Sequence, residues 1–255
     1  MCRLISRYLP FLLAAVLIHS QCKAQKSIND SSITFTVIGT NYGFLFPGGD
    51  MADRFGSCSE IGGSFALKLK SNWTLSFDAQ YLFGKTVKED HILDGITTDD
   101  NVIIGEDGAY ADVRFYERGY HITFSIGKVL SFNKPNPNSG IWITAGGGFL
   151  QHKIRIDAVN DDVPELSTEY RKGYDRLTNG FELREFLGYI YFGKKRLINF
   201  YAGFEFIQGF TQNRRDYNFD TKTHDDEKRI DLLNGFRVGW LLPLYKRPPE
   251  KFYLY

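Results

Sequence analysis

Cysteine is scarce in this chain, methionine is scarcer still, and long hydrophobic runs are missing but for one. Of 255 residues only Cys2, Cys22 and Cys58 are cysteines and two are methionines. Once an N-terminal leader carrying Cys2 and Cys22 is removed, Cys58 is left alone, so no internal disulfide can hold the fold. Cys58 is read as a small apolar filler at a strand start rather than a nucleophile. A large excess of charge of one sign is also missing. The formal net charge is +1, which argues against a nucleic-acid binder working through a broad basic field. A mean hydropathy of -0.28 excludes a bundle of membrane helices. It leaves open a membrane protein built of strands.

The one apolar run, residues 9–18, follows a short start carrying Arg3 and Arg7. At ten residues it is too short for a spanning helix, which needs about 20. Cys22-Lys23-Ala24 then places small residues at the two positions a signal peptidase reads. Residues 1–24 are therefore expected to be a cleaved secretory signal. A lipoprotein signal using Cys22 fits less well, because Gln21 stands where a small residue belongs. Cleavage leaves 28 basic against 30 acidic residues.

What the chain has in quantity is Phe (22), Tyr (15) and Gly (25), the residues of strands and turns. After Gln25 nearly every ordered stretch alternates with period two. Trp73, Leu75, Phe77, Ala79, Tyr81 and Phe83 alternate with Thr74, Ser76, Asp78, Gln80 and Leu82. Phe200, Ala202, Phe204 and Phe206 alternate with Asn199, Tyr201, Gly203 and Glu205, and Phe236, Val238 and Trp240 with Arg237 and Gly239. Eight such strands can be counted. The early half of the fourth (Val113, Phe115) has the opposite parity to its late half (Ile122, Phe124, Ile126), which predicts a bulge near Glu117-Arg118-Gly119. Connections after the second, fourth and sixth strands are short, and those after the first, third, fifth and seventh are longer or more acidic. The expected fold is all-β, an eight-stranded antiparallel up-and-down barrel over residues 25–245 with a short C-terminal tail at 246–255.

Such a barrel can be a soluble ligand carrier or a transmembrane one, and the two put their apolar faces on opposite sides. Here the aromatic face carries Trp73, Tyr81, Phe83 and Trp240 near strand ends, the arrangement of an interfacial girdle. The other face carries Asp78, Glu182, Arg184, Glu205 and Arg237. Enclosed in a narrow lumen, these charges should pair into a network that fills the barrel, a proton or ion path being the alternative. Glu185 falls on the outer face, near the headgroups unless the register slips there. Long loops outside and short turns inside match outer-membrane barrels, and the short turn Lys194-Lys195-Arg196 is basic. Residues 85–107 are acidic. Asp94, Asp99, Asp100, Glu106 and Asp107 read as solvated loop or as a divalent-cation site bridging to lipopolysaccharide phosphates.

The signal ending in Ala24-Gln25, the aromatic strands and the last strand running from Gly235 to Tyr245 resemble the small outer-membrane β-barrel proteins of the Bacteroidota, the PorT-like group. That resemblance implies the outer membrane of a Gram-negative bacterium. It also implies contact with outer-membrane lipid and lipopolysaccharide, the barrel-assembly machinery and a periplasmic or secretion-system protein. Pro248-Pro249 departs from the pattern, separating the last strand from the aromatic Tyr255. Enzymatic signals are weak. Gly146-Gly147-Gly148 lies inside an alternating strand with no following helix, so it marks close strand packing and not a phosphate loop. A rim hydrolase or acyltransferase would have to combine His152 and Asp157 with Asp225 or His224. His91 and His224 lie in loops, and no His spacing suggests a metal. The expectation is a non-enzymatic barrel without cofactor or nucleic-acid partner, having a structural, binding or secretion-accessory role. The rim enzyme and an exported soluble carrier stand as alternatives.

Overall fold

Strand β1 (Phe35–Gly49) leads through a one-turn helix α1 (Asp50–Arg54) into β2 (Cys58–Lys68) and β3 (Trp73–Gly84). The two-residue β4 (Ile103–Ile104) precedes β5 (Tyr110–Leu130), β6 (Gly140–Val159), β7 (Thr178–Phe192), β8 (Asn199–Asn213) and β9 (Lys228–Leu244). The computed structural model describes residues 31–89, 91–100, 102–132, 135–159, 163–193 and 197–245. The expected signal (1–24), the turn Lys194-Lys195-Arg196 and the tail (246–255) lie outside the described residues.

Every long strand pairs antiparallel with its sequence neighbour, β1 pairs with β9, and β3 pairs with β5. The result is a closed eight-stranded up-and-down barrel, as the alternation predicts; β4 is a side hairpin on β5. Following Cα partners once around from Val37 leads back to Pro47, ten residues further along β1. With a rise of about 3.3 Å per residue and strands about 4.8 Å apart, that stagger tilts the strands by about 40° and sets a backbone radius of about 8 Å. A tube this narrow is filled by its own side chains.

The outward face is apolar over most of its height. Ile38, Tyr42, Phe65, Leu75, Phe77, Phe124, Leu187, Phe204 and Phe236 are all exposed there. In water each such side chain would forgo about 1.5–3 kcal/mol. On β5 the outward residues from Leu130 to Tyr120 are apolar except Lys128, whose ammonium lies over the Trp73 ring at the short-turn edge, and the run stops at Arg118. Ten residues at the barrel's tilt span about 25 Å, the height of the lipid-facing band of outer-membrane-type barrels.

Beyond that band the polarity of both faces reverses. On β5 and β6 the outward residues become Arg118, Arg114, Asp112, Lys153, Arg155 and Asp157, while Val113, Phe115, Ile154 and Ile156 turn inward. No bulge accompanies the change. The β5–β6 register runs unbroken from Asp112↔Val159 to Leu130↔Ile141. The expected bulge near Glu117-Arg118-Gly119 is therefore corrected. The strand keeps its geometry and passes from lipid into water, so the apolar residues swap faces because the outer solvent changes.

Two apolar layers close the barrel. At the short-turn end Trp142, Phe186 and Tyr201 pack edge to face, with ring centroids 5.2–5.5 Å apart, together with Phe35, Phe192 and Leu241. At the loop end Leu45, Leu82, Leu150, Ile207 and Leu233 pack beneath Met51 and Phe55, which α1 folds down over the mouth. The β5–β6 turn also tucks in. Asn138 is fully buried, accepts Lys68 Nζ at 2.9 Å, and covers that lysine from below. In β6 a Cβ on Gly146 or Gly148 would meet the Phe124 or Ile122 carbonyl at 2.2 or 2.0 Å, so these glycines serve close strand packing.

Candidate functional site

Between the two apolar layers lies a sealed cluster of charge. Asp78 on β3, Glu182 and Arg184 on β7, Glu205 on β8 and Arg237 on β9 all point inward and are buried. Period-two alternation puts each on the lumen side, and the barrel's stagger brings Asp78, Arg184, Glu205 and Arg237 within reach of one another. Arg237 donates to Asp78 Oδ1 at 2.8 Å and to Glu205 Oε1 at 2.9 Å, and lies 5.9 Å from the Tyr201 ring centre. Arg184 pairs with Glu205 and, at 3.2 Å, with Asp78. Glu182 joins a second half of the network. It accepts from Thr123 and meets His121 Nδ1 at 3.2 Å, while His121 Nε2 meets Glu60 Oε2 at 2.9 Å. Arg237 Nε, 3.7 Å from Glu60, links the halves.

Glu60, near the start of β2, is a further member of this network and is not among the inward charges named from the sequence. Its parity with Gly62 and Ser64 would have placed it inward. With Glu60 and His121 included, four carboxylates face two guanidiniums and an imidazole. All stand between the apolar layers, and Asp78 alone of them reaches a cavity of about 20 Å³ walled mainly by apolar groups such as Val37, Trp142, Ile190 and Leu241. That is room for about one water molecule. Such an arrangement locks strand register and offers no bore.

The outward aromatics fall at the two edges of the apolar band. Trp73 and Trp240 are exposed at the short-turn edge, where Trp240 Nε1 donates to the Leu197 carbonyl at 2.7 Å and Lys128 Nζ sits 4.9 Å over the Trp73 ring. Tyr81 and Phe83 stack at the loop edge, centroids 6.2 Å apart. Glu185 does face outward, and no register slip occurs. It is half-buried and accepts from Gln208 Nε2 at 2.9 Å. It lies within the apolar band rather than at its edge, level with Phe204 and Phe236.

The cap above the band is polar and tightly paired. Arg176 bonds Glu89 at 3.0 Å and also Asp220, while Arg54 reaches Thr178 at 3.1 Å. Asp225 works against burial, yet hydrogen bonds from Arg229 (2.7 Å) and Asn213 (3.2 Å) hold its carboxyl below the usual value. The acidic loop is different. Asp94 meets His91 at 3.0 Å, the Ala109 amide donates to Asp107 at 2.9 Å, and Asp99, Asp100 and Glu106 stand exposed. Among the described residues no three carboxylate, His or Cys side chains gather as a metal-ligand set.

The residues considered for rim catalysis do not assemble. His152 is fully buried and pairs at 2.8 Å with Asp231 on β9, outside that set, which also accepts from Thr211 at 2.5 Å. Asp157 lies on the opposite face of β6 and pairs with Arg155, and His224 meets the Asp216 backbone. Phe55 packs edge-on against the His152 ring at 5.6 Å, so no substrate reaches it.

An apolar outer band, a charge-filled lumen sealed at both ends and a water-facing polar cap define an outer-membrane-type transmembrane β-barrel. Among solved structures the chain is similar to Ail, the attachment invasion locus protein of Yersinia pestis, at 8% identity and a TM-score of 0.44, over 82% of this chain and 99% of that one. It is also similar to the N-terminal β-barrel domain of Pseudomonas aeruginosa OprF (13% identity, TM-score 0.35, 81% and 97% covered). A third is the outer membrane protein OprG of the same organism (11% identity, TM-score 0.37, 85% and 99% covered). No family model matches the chain, and no curated protein matches it.

Proposed function

We propose that this chain is a non-enzymatic barrel of the outer membrane of a Gram-negative bacterium, with a structural or binding role carried by its water-facing cap. The observation that carries the reading is the sealed lumen. With apolar layers above and below the charge network, the interior serves stability, and what can meet a partner is the outer wall, the loops and the tail. The basic and aromatic tail, residues 246–255, suits a periplasmic or secretion-system protein, as in the PorT-like barrels of the Bacteroidota that the sequence resembles. Insertion by the barrel-assembly machinery and contact with lipopolysaccharide belong to the same reading. Cell fractionation tests it. The chain should pellet with outer membrane, need detergent for extraction, and migrate faster on gels before heating than after. Full solubility without detergent would sink the proposal.

A further inference from the structure

A groove of about 610 Å³ runs along the outer wall on β5 and β6, just above the loop edge of the apolar band. Its floor includes Tyr81 and Tyr120, cross-strand partners at the top of that band. Its walls carry Arg118, Lys153, Arg155, Arg171, Lys172 and Arg215 with two lining carboxylates, Asp157 and Asp175; Arg155 pairs with Asp157 at 2.8 Å and Lys172 with Glu169 at 2.7 Å, which leaves Arg118, Lys153 and Arg171 in excess.

The cations are packed at some cost. Arg118 and Lys153 are directly opposite each other across the β5–β6 ladder, and the next outward pair up is Tyr116 and Arg155. Like charges directly opposed on one sheet face destabilise it. Arg118 is braced in place by the Gly84 and Glu117 carbonyls, at 3.2 and 2.7 Å, and by the Tyr116 ring at 4.8 Å. Asp175 is saturated by Arg215, which takes both of its oxygens, and stands 3.5 Å from Lys153. Lys153 and Arg155 keep about half of their side-chain surface open to solvent. An anion seated here would relieve the repulsion and accept several charge-assisted hydrogen bonds.

We propose that this groove binds the phosphorylated headgroup of an outer-leaflet glycolipid. Position selects the lipid. The cations begin one outward residue above Tyr120, at headgroup depth, and Tyr81 and Tyr120 of the apolar band line the same groove, so a lipid can lie with its chains on the apolar wall and its phosphate among the cations. The inference rests on the membrane placement proposed above, and fractionation reports on that placement independently.

The test uses the purified barrel in neutral detergent, with diphosphoryl lipid A, its dephosphorylated form and inorganic phosphate as probes. Lys153→Gln/Arg155→Gln removes two exposed charges; heat-dependent gel migration checks that the barrel is intact, and Arg155→Glu alone serves if the double variant does not fold. Wild type should bind diphosphoryl lipid A at least about tenfold more tightly than the dephosphorylated form, and the variant should lose that preference. Equal binding of the two lipids, an unchanged preference in the variant, or inorganic phosphate competing as well as the lipid would overturn the proposal.

Discussion

Replacing Arg237 by alanine is expected to be among the most damaging single changes in the lumen. Its guanidinium is fully buried, bonds Asp78 and Glu205 within 2.9 Å, and approaches Glu60. Without it, Asp78, Glu60, Glu182 and Glu205 are left with Arg184 and His121 alone. Breaking a buried pair by removing one partner costs about 3–5 kcal/mol, because the remaining charge has no water to return to. Removing matching charges should cost less. In Arg237→Met/Asp78→Asn the penalty should fall below the sum of the single changes by about 0.5–3 kcal/mol, the coupling typical of groups sharing one network. Urea unfolding of the refolded barrel in lipid vesicles, read by tryptophan fluorescence and by heat-dependent gel migration, measures both quantities. A loss under about 1 kcal/mol for Arg237→Ala, or strict additivity in the double variant, would refute the claim that these charges form one desolvated network.

Two further outcomes follow from the cap and the plugs. The Asp225 carboxyl is held below its ordinary value by Arg229 and Asn213, so the order it gives to residues 213–228 should be complete above the ordinary carboxylate pKa of about 3.9 and vanish as pH falls through the lower folded value. Hydrogen exchange in that loop should accordingly rise only in strong acid, whereas Asp225→Asn should exchange fast at all pH; a wild-type transition above the ordinary carboxylate value would contradict the assignment. Planar-bilayer recordings should show no steady conductance, since Trp142, Phe186 and Tyr201 block one end of the lumen and Leu45, Leu150 and Phe55 the other. Stable single-channel steps from the unmodified barrel would show that a layer opens.

Much of the barrel wall is legible in alternation alone. The parity of β3, β8 and β9 places Asp78, Glu205 and Arg237 inward and the aromatics outward, because a lipid-facing strand must separate its two faces cleanly. Reading β5 as bulged fails for a specific reason. Parity was read against a single outer solvent, whereas Val113 and Phe115 stand in the water-facing half, where the rule inverts. Glu60 escapes notice because β2 starts at Cys58, three residues before the clear alternation from Ile61 onward. The α1 lid and the Asn136–Asn138 plug leave no local mark at all: Met51 and Asn138 are buried by what lies across from them, not by any pattern in their own segments. The same holds for His152, whose partner Asp231 is 79 residues away.

The reversal of polarity along β5 and β6 also acts as a built-in depth gauge. Because the lipid-facing stretch ends where outward Tyr120 and Phe149 give way to Arg118 and Gln151, the chain sets a hydrophobic thickness by where these residues stand along strands whose tilt the stagger fixes. A thicker bilayer would have to swallow Arg118 and Lys153 or thin itself around one side of the barrel, at a cost that grows with each ångström of mismatch. Deleting two residues from each strand within that stretch would preserve every facing relation while lowering the wall by about 5 Å on that side. Preference among membranes of graded thickness is thus a property that sequence can retune in steps of two residues, and only in steps of two.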